Sequence, residues 1–197
     1  MTQSLKQTVN FFRMPVDLSS FDNSDFQPGG AVKRGLWYFF NVLFMLNPWN
    51  PFIGLKRGVL RLFGAKIGKG VVIKPRVNVK YPWLLEIGDH TWIGEGVWID
   101  NLGQVEIGNN VCISQGALLL SGNHNYKKST FDLMVGKIEL AEGAWIGAKS
   151  IVPGGTKIGS HAILTAGSIA PNELKPFGIY KGNPAEWIRQ RKMEDHD

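Results

Sequence analysis

From Ile67 to Ala170 the chain returns an aliphatic residue on a six-residue beat. The series runs Ile67, Ile73, Val79, then Ile87, Ile93, Ile99, then Ile107, Ile113, Leu119, then Leu140, Ile146, Val152, then Ile158, Leu164, Ala170. Ile, Leu and Val make up about a quarter of the chain, so fourteen hits in fifteen positions are not a product of composition. Glycine follows the aliphatic residue at Gly68, Gly88, Gly94, Gly108, Gly147 and Gly159, and a small or β-branched residue stands four places on, as at Val71, Thr91, Val111, Ala144 and Ala162. An α-helix needs apolar residues at 3.6 spacing and a free strand alternates, so neither gives a six. A short strand plus a tight corner does. Three such units close a triangular coil of about eighteen residues, with each aliphatic side chain over its equivalent in the next coil. The expected architecture is therefore an all-β solenoid, a parallel β-helix of about five coils.

The beat is broken in three places. The steps Val79 to Ile87 and Ile99 to Ile107 are each eight residues, which a corner bulge accommodates. The step Leu119 to Leu140 is twenty-one, fifteen more than a corner requires. A long loop on a rigid repeat scaffold is where function concentrates, which draws attention to residues 121–137. Three segments follow: 1–66, a polar arm and short helices, the second over Leu55 to Phe63; 67–170, the coils; and 171–197, where the hexads fail. Ala185 to Met193 has helical composition, and a terminal helix there would cap the open end of the solenoid.

With 197 residues the chain can bury a core. Cys112 has no partner, so no disulfide framework exists and a reducing compartment, the cytoplasm, is expected. The stretch Leu36 to Leu46 is very apolar, but eleven residues interrupted by Asn41 are too few to span a bilayer. It either packs on the base of the prism or a neighbouring subunit, or lies on the inner membrane face beside Lys33, Arg34, Lys56, Arg57 and Arg61. The net charge of +6 reads as solvated surface that also suits an anionic ligand; no nucleic-acid partner is expected.

The hexads, HTWIGEGVWIDN at 90–101, the GNH entry to the long loop and KGNPAEWIRQR at 181–191 resemble the left-handed β-helix acyltransferases, which move acetyl from coenzyme A to sugar hydroxyls. FGAKIGKGVVIKPRV and YPWLLEIGDHTWIGEGVWIDN are most similar to the colanic acid biosynthesis type, related to maltose and galactoside O-acetyltransferases, and the match runs from about Asp17 to the end. The resemblance implies left-handed coils, a homotrimer with active sites between adjacent prisms, acetyl-coenzyme A as co-substrate and a sugar acceptor, free or lipid-linked, with exopolysaccharide biosynthesis as the setting. No metal is expected.

Acyl transfer from a thioester to an alcohol needs a base near neutral pKa, which imidazole supplies. His124 stands where the third coil breaks into the long loop, and the family's catalytic histidine falls at the matching position. His90 and His161 hold the fourth place of a hexad and read as solvated corners; His196 sits in a polar tail. Asp100 and Asn101 are either acceptor-orienting groups, as the resemblance implies, or a plain corner turn. Asn123 is a further candidate acceptor contact, one of the loop residues able to bind sugar hydroxyls. The resemblance places Trp145, Gly147, Ala148, Ala166 and Gly167 along the pantetheine arm, with backbone N–H groups near Gly147 as oxyanion donors. It places Lys181 and Arg189 at the coenzyme's phosphates. Glu186 stands where some relatives carry a second phosphate-binding Arg.

Three readings from other classes compete. A γ-class carbonic-anhydrase-like hydratase needs converging histidine ligands, two of them close in sequence, and no close pair exists here. A non-catalytic scaffold predicts uniform coils, which the long loop contradicts. A nucleotidyltransferase needs a large N-terminal domain that the chain has no room for.

Overall fold

The computed structural model describes residues 15–50 and 52–194. Of the nineteen strands among the described residues, seventeen form a three-faced solenoid. The first face stacks β1 (Lys66–Ile67), β4 (Leu85–Ile87), β7 (Val105–Ile107), β12 (Ile138–Leu140), β15 (Lys157–Ile158) and β17 (Glu173–Leu174). The second stacks β2 (Val72–Ile73), β5 (Trp92–Ile93), β8 (Cys112–Ile113), β13 (Trp145–Ile146), β16 (Ile163–Leu164) and β18 (Gly178–Gly182), with β19 (Ala185–Gln190) at its edge. The third stacks β3 (Asn78–Val79), β6 (Trp98–Asp100), β9 (Leu118–Leu120) and β14 (Ile151–Pro153), extended by an Ile151 to Ile169 bridge. In the long loop, β10 (Gly122–His124) and β11 (Leu133–Val135) form an antiparallel hairpin.

The inward ladders are the hexad series. On the second face Ile73, Ile93, Ile113, Ile146 and Leu164 stack in register, and on the third Val79, Ile99, Leu119 and Val152 do the same. All of these side chains are buried. Outward positions divide by face. The first face carries Lys66, Glu86, Glu106, Glu139, Lys157 and Glu173, a charged row that belongs in water. The second shows Val72, Trp92, Cys112, Trp145, Ile163 and Ile179, and the third Asn78, Trp98, Leu118, Ile151 and Ile169, both largely apolar.

The solenoid has about six turns rather than five. Past Ala170 the beat shortens to four residues and then resumes, so Leu174 continues the first-face ladder above Ile158 and Tyr180 the second above Leu164. The C-terminal segment is also not a helix: Ala185–Gln190 is a strand, antiparallel to β18. The last coil exposes a row of unpaired backbone groups, and a strand folded back on β18 satisfies them, whereas a helix leaves them open. Helical composition loses to that edge. Arg191 ties the tail down by donating to the carbonyls of Gly143 and His161, 3.3 and 3.1 Å away.

The opposite end is closed by helices. α1 (Ala31–Phe40) runs into a π-helical segment (Asn41–Leu46), and α2 (Ile53–Leu62) follows. Trp37, Met45, Val59 and Leu60 bury the inward side, and Trp37 Nε1 donates to the Val79 carbonyl at 2.8 Å. Arg61 donates to the Ile67 and Gly68 carbonyls and Arg57 to Val71, which supplies the first coil with the partners its missing neighbour would have given.

One residue of the cap works against stability. Lys56 is fully buried on α2 and its ammonium has no hydrogen-bond partner among the described residues. Burial pushes its pKa down from 10.5, so the unfolded chain holds that proton more firmly and stability rises as pH climbs toward 10.5. Lys56→Met is expected to raise Tm by about 2–4 °C at neutral pH, with the gain shrinking as pH nears 10.5. Thermal denaturation across that range checks it.

Candidate active site

The three lengthened steps of the hexad series all fall at the corner between the third and first faces, in successive coils. Residues 80–84, 101–104 and 121–137 therefore project from one edge of the prism, one above another. Tyr81 comes from the first, Leu102 from the second, and His124 and Leu133 from the third. Together with Phe21, Phe26, Pro28 and Arg34 from the N-terminal segment and Lys80, they line a cavity of about 560 Å³. The arm is held across it by Asp17 N–H donating to the Ser129 carbonyl and by Trp83 Nε1 donating to the Pro28 carbonyl. A larger groove of about 760 Å³ runs along the charged first face, but it contains neither histidine nor hydroxyl nor thiol.

His124 is half-buried in that cavity and tightly oriented. Its Nδ1 lies 2.8 Å from the Phe131 carbonyl. A carbonyl only accepts, so Nδ1 carries the hydrogen and the neutral ring keeps its lone pair on Nε2. The Phe131 ring stacks on the imidazole at 4.6 Å between centroids, and Phe21 meets it edge-on at 5.8 Å. Phe131 itself has φ 53°, a left-handed conformation costly for a bulky residue, and it aims both carbonyl and ring at His124. The turn below is fastened by Lys128 and Thr130 on Asp132, whose carboxyl these bonds hold below the ordinary carboxylate value.

The other acceptor-side residues separate. Asp100 is buried on β6 with Lys80 Nζ 3.0 Å from Oδ1, and Lys80 lines the cavity. Asn101 is fully buried: its amide donates to the Tyr81 carbonyl at 2.7 Å and accepts from the Tyr81 N–H at 3.0 Å. It brackets Tyr81 and leaves no group for a sugar, which makes the corner-turn reading of Asn101 the one the geometry favours. Asn123 is exposed, its Oδ1 accepting from the His124 N–H at 2.8 Å.

Gly147, Ala148, Ala166 and Gly167 occupy a different corner, between the second and third faces, and Trp145 lies just before it on β13 of the second face. The Gly147 N–H is spent on the coil ladder, donating to the Leu164 carbonyl at 2.7 Å, so it is no oxyanion donor. The Ala148 and Ala166 N–H groups, one place on, enter no hydrogen bond among the described residues. The Trp145 indole donates to Ser114 Oγ at 2.9 Å. Lys181 and Arg189 are exposed on the terminal hairpin, with Glu186 directly opposite Lys181. One prism thus holds His124 and the coenzyme-side positions a full face apart.

His90 and His161 are corner residues with φ 56° and 57°. Each imidazole lies over the glycine of a neighbouring coil, so close that a Cβ on Gly70 or Gly143 would clash with it. His161 also stacks on Phe177 at 4.8 Å. His196 lies outside the described residues. Among the described residues no group of three His, Cys, Asp or Glu side chains is disposed to hold a metal ion.

Sequence reasoning missed Tyr81, Lys80, Arg34, Phe21 and Phe131. A signal for Tyr81 and Lys80 was present, because the eight-residue steps sit at the same place in the coil as the long loop.

No protein-family profile matches the chain. It is 36% identical over 178 residues to the colanic acid biosynthesis acetyltransferase WcaF of Escherichia coli K12, covering 89% of this chain and 97% of that protein. The fold is similar to a hexapeptide-repeat acetyltransferase of Vibrio cholerae O1 biovar eltor solved with acetyl coenzyme A, at TM-score 0.76 and 18% identity, covering 85% of this chain and 93% of that one. It is equally similar to a maltose O-acetyltransferase of Clostridium difficile 630, at TM-score 0.76 and 19% identity over 82% and 88% of the two chains. With near-complete coverage of WcaF and a solenoid superposable on these left-handed β-helices, the chain belongs to the hexapeptide-repeat acetyltransferases, within the colanic acid biosynthesis type.

Proposed function

We propose that the protein transfers acetyl from acetyl-coenzyme A to a hydroxyl of a sugar, in the assembly of an extracellular polysaccharide, with His124 as general base. The observation that carries this reading is the fixed tautomer of His124 inside a corner cavity built from all three lengthened loops. Nε2 takes the hydroxyl proton as the sugar oxygen attacks the thioester carbon, and the imidazolium then returns it to the departing thiolate. The Phe131 carbonyl, hydrogen-bonded to Nδ1–H, stabilises that imidazolium. Lys80, held from behind by Asp100, and Asn123, with loop 121–137, supply the polar groups that orient the acceptor.

The coenzyme fits the corner between the second and third faces. The unspent N–H groups of Ala148 and Ala166 suit the amides of the pantetheine arm, Trp145 and Gly167 flank it, and Lys181 and Arg189 lie toward the phosphates. Because this corner and His124 are a face apart, a complete site draws on two prisms packed through their apolar second and third faces, with the charged first face in water. Three prisms around one axis give three equivalent sites. Light scattering should then report about three times the chain mass of 21.9 kDa. Release of free thiol from acetyl-coenzyme A against a panel of sugars tests the activity, and release unaffected by any sugar would overturn it.

Glu186 opposes Lys181 across the hairpin and offsets its charge, so Arg189 is the stronger phosphate contact. Arg189→Ala is expected to raise the KM for acetyl-coenzyme A by about tenfold, Lys181→Ala by less, both more at low salt than at high. Equal losses with a truncated acetyl-pantetheine donor would show that the phosphates are not their partners.

A further inference from the structure

The helical cap has a second apolar side. Val32, Leu36, Phe39 and Leu43 recur at three- or four-residue spacing along the outward side of α1 and its π-helical continuation, and all are exposed. Leu55 and Leu62 stand two turns apart on the outward side of α2, and Trp49, in the connection, is 88% exposed. The contacts with the first coil use the other side, through Trp37, Met45, Val59 and Leu60, so nothing among the described residues covers this stripe.

Charge selects what covers it. Residues 26–85, which form the cap and the first coil, contain ten Lys and Arg and no Asp or Glu; at +6 overall, the rest of the chain is net −4. Lys66, Lys69, Arg76 and Lys80 are paired with acids of the second coil. Lys33, Arg34 and Lys74 have no acidic partner among the described residues, and Lys33 lies over the Trp83 ring at 4.3 Å. A second copy of this cap would set like charges against each other. No helix among the described residues is long and apolar enough to cross a membrane.

We propose that the cap docks on an anionic lipid bilayer, with α1 and α2 lying in the headgroup plane, their outward leucines and Phe39 at the acyl boundary and Trp49 as the interfacial anchor. Arg34, on the same helix, lines the His124 cavity, so docking sets that cavity one helix away from the lipid headgroups. The inference stands on the surface alone and does not require the acceptor to be a sugar.

Flotation of the full chain with vesicles tests it. Binding to phosphatidylcholine vesicles containing about one third phosphatidylglycerol should exceed binding to phosphatidylcholine alone by about tenfold, and about 0.5 M salt should remove most of it. Trp49→Ser and Phe39→Ser should each weaken binding by about tenfold, with circular dichroism and thiol release unchanged. Equal binding to both vesicle types, undiminished binding of the variants, or no binding at all overturns the proposal. A fall in particle mass on Trp49→Ser in the absence of lipid also overturns it, because the face then joins copies of the chain. Thiol release reports acyl transfer separately, so loss of docking and loss of catalysis are told apart.

Discussion

His124→Ala is expected to lower turnover by about 10²- to 10⁴-fold while coenzyme affinity stays within about twofold of the parent, the pattern of a lost general base. The magnitude follows from how little else near the cavity can take a proton. Asp100 is occupied by Lys80, Asp132 is held by Lys128 and Thr130, and no other histidine lines the cavity. His90→Ala and His161→Ala remove imidazoles from other corners, outside the cavity, and should leave turnover nearly unchanged. Steady-state thiol release, paired with calorimetric titration of coenzyme A, separates the two parameters. A His124→Ala enzyme with near-normal turnover would sink the assignment. The same turnover loss with a matching loss of coenzyme affinity would move His124 from base to binding group.

Gly147→Ala should destabilise the fold by about 2–3 kcal/mol, which corresponds to a fall in Tm of about 4–12 °C. A Cβ at this position would lie 2.4 Å from the Ala166 nitrogen and 2.6 Å from the Thr165 carbonyl carbon, both backbone atoms of the next coil. Backbone cannot rotate aside as a side chain does, so the two coils must part. Parting them lengthens the Gly147 to Leu164 bond of 2.7 Å and the Trp145 to Ala162 bond of 2.8 Å. The KM for acetyl-coenzyme A, measured below the melting transition, should change little. Should the KM rise sharply with Tm unchanged, Gly147 is a coenzyme contact and the close packing of the coils is more forgiving than these distances indicate.

The ladders were readable because register in a solenoid is local: a strand at Ile93 needs only the six-residue step to meet Ile73 and Ile113. Where the step changed, reading failed. The shortened interval after Ala170 hid the sixth turn, and Ala185–Gln190 chose strand over helix because of an edge on β18 that no local propensity describes. The site was legible in the same uneven way. His124 stands at the long step, where the broken beat draws attention, and it lines the cavity. Phe21 and Arg34 did not, since they reach the cavity from about ninety to a hundred residues upstream in a segment without periodicity. Asn101 carried a motif shared by acceptor sites and by plain turns, and only its two bonds to Tyr81 distinguish them.

That all three lengthened steps leave by a single edge has a consequence for how such proteins diversify. Each insertion departs after a third-face strand and returns at the next first-face strand, so residues can be added or removed without shifting the register of any rung. The wall around His124 is thereby free to vary in length and chemistry. The rungs that hold the opposite corner stay as they are. A chain built on this plan can have a few surface turns around the cavity rewritten while every rung of the solenoid keeps its partners.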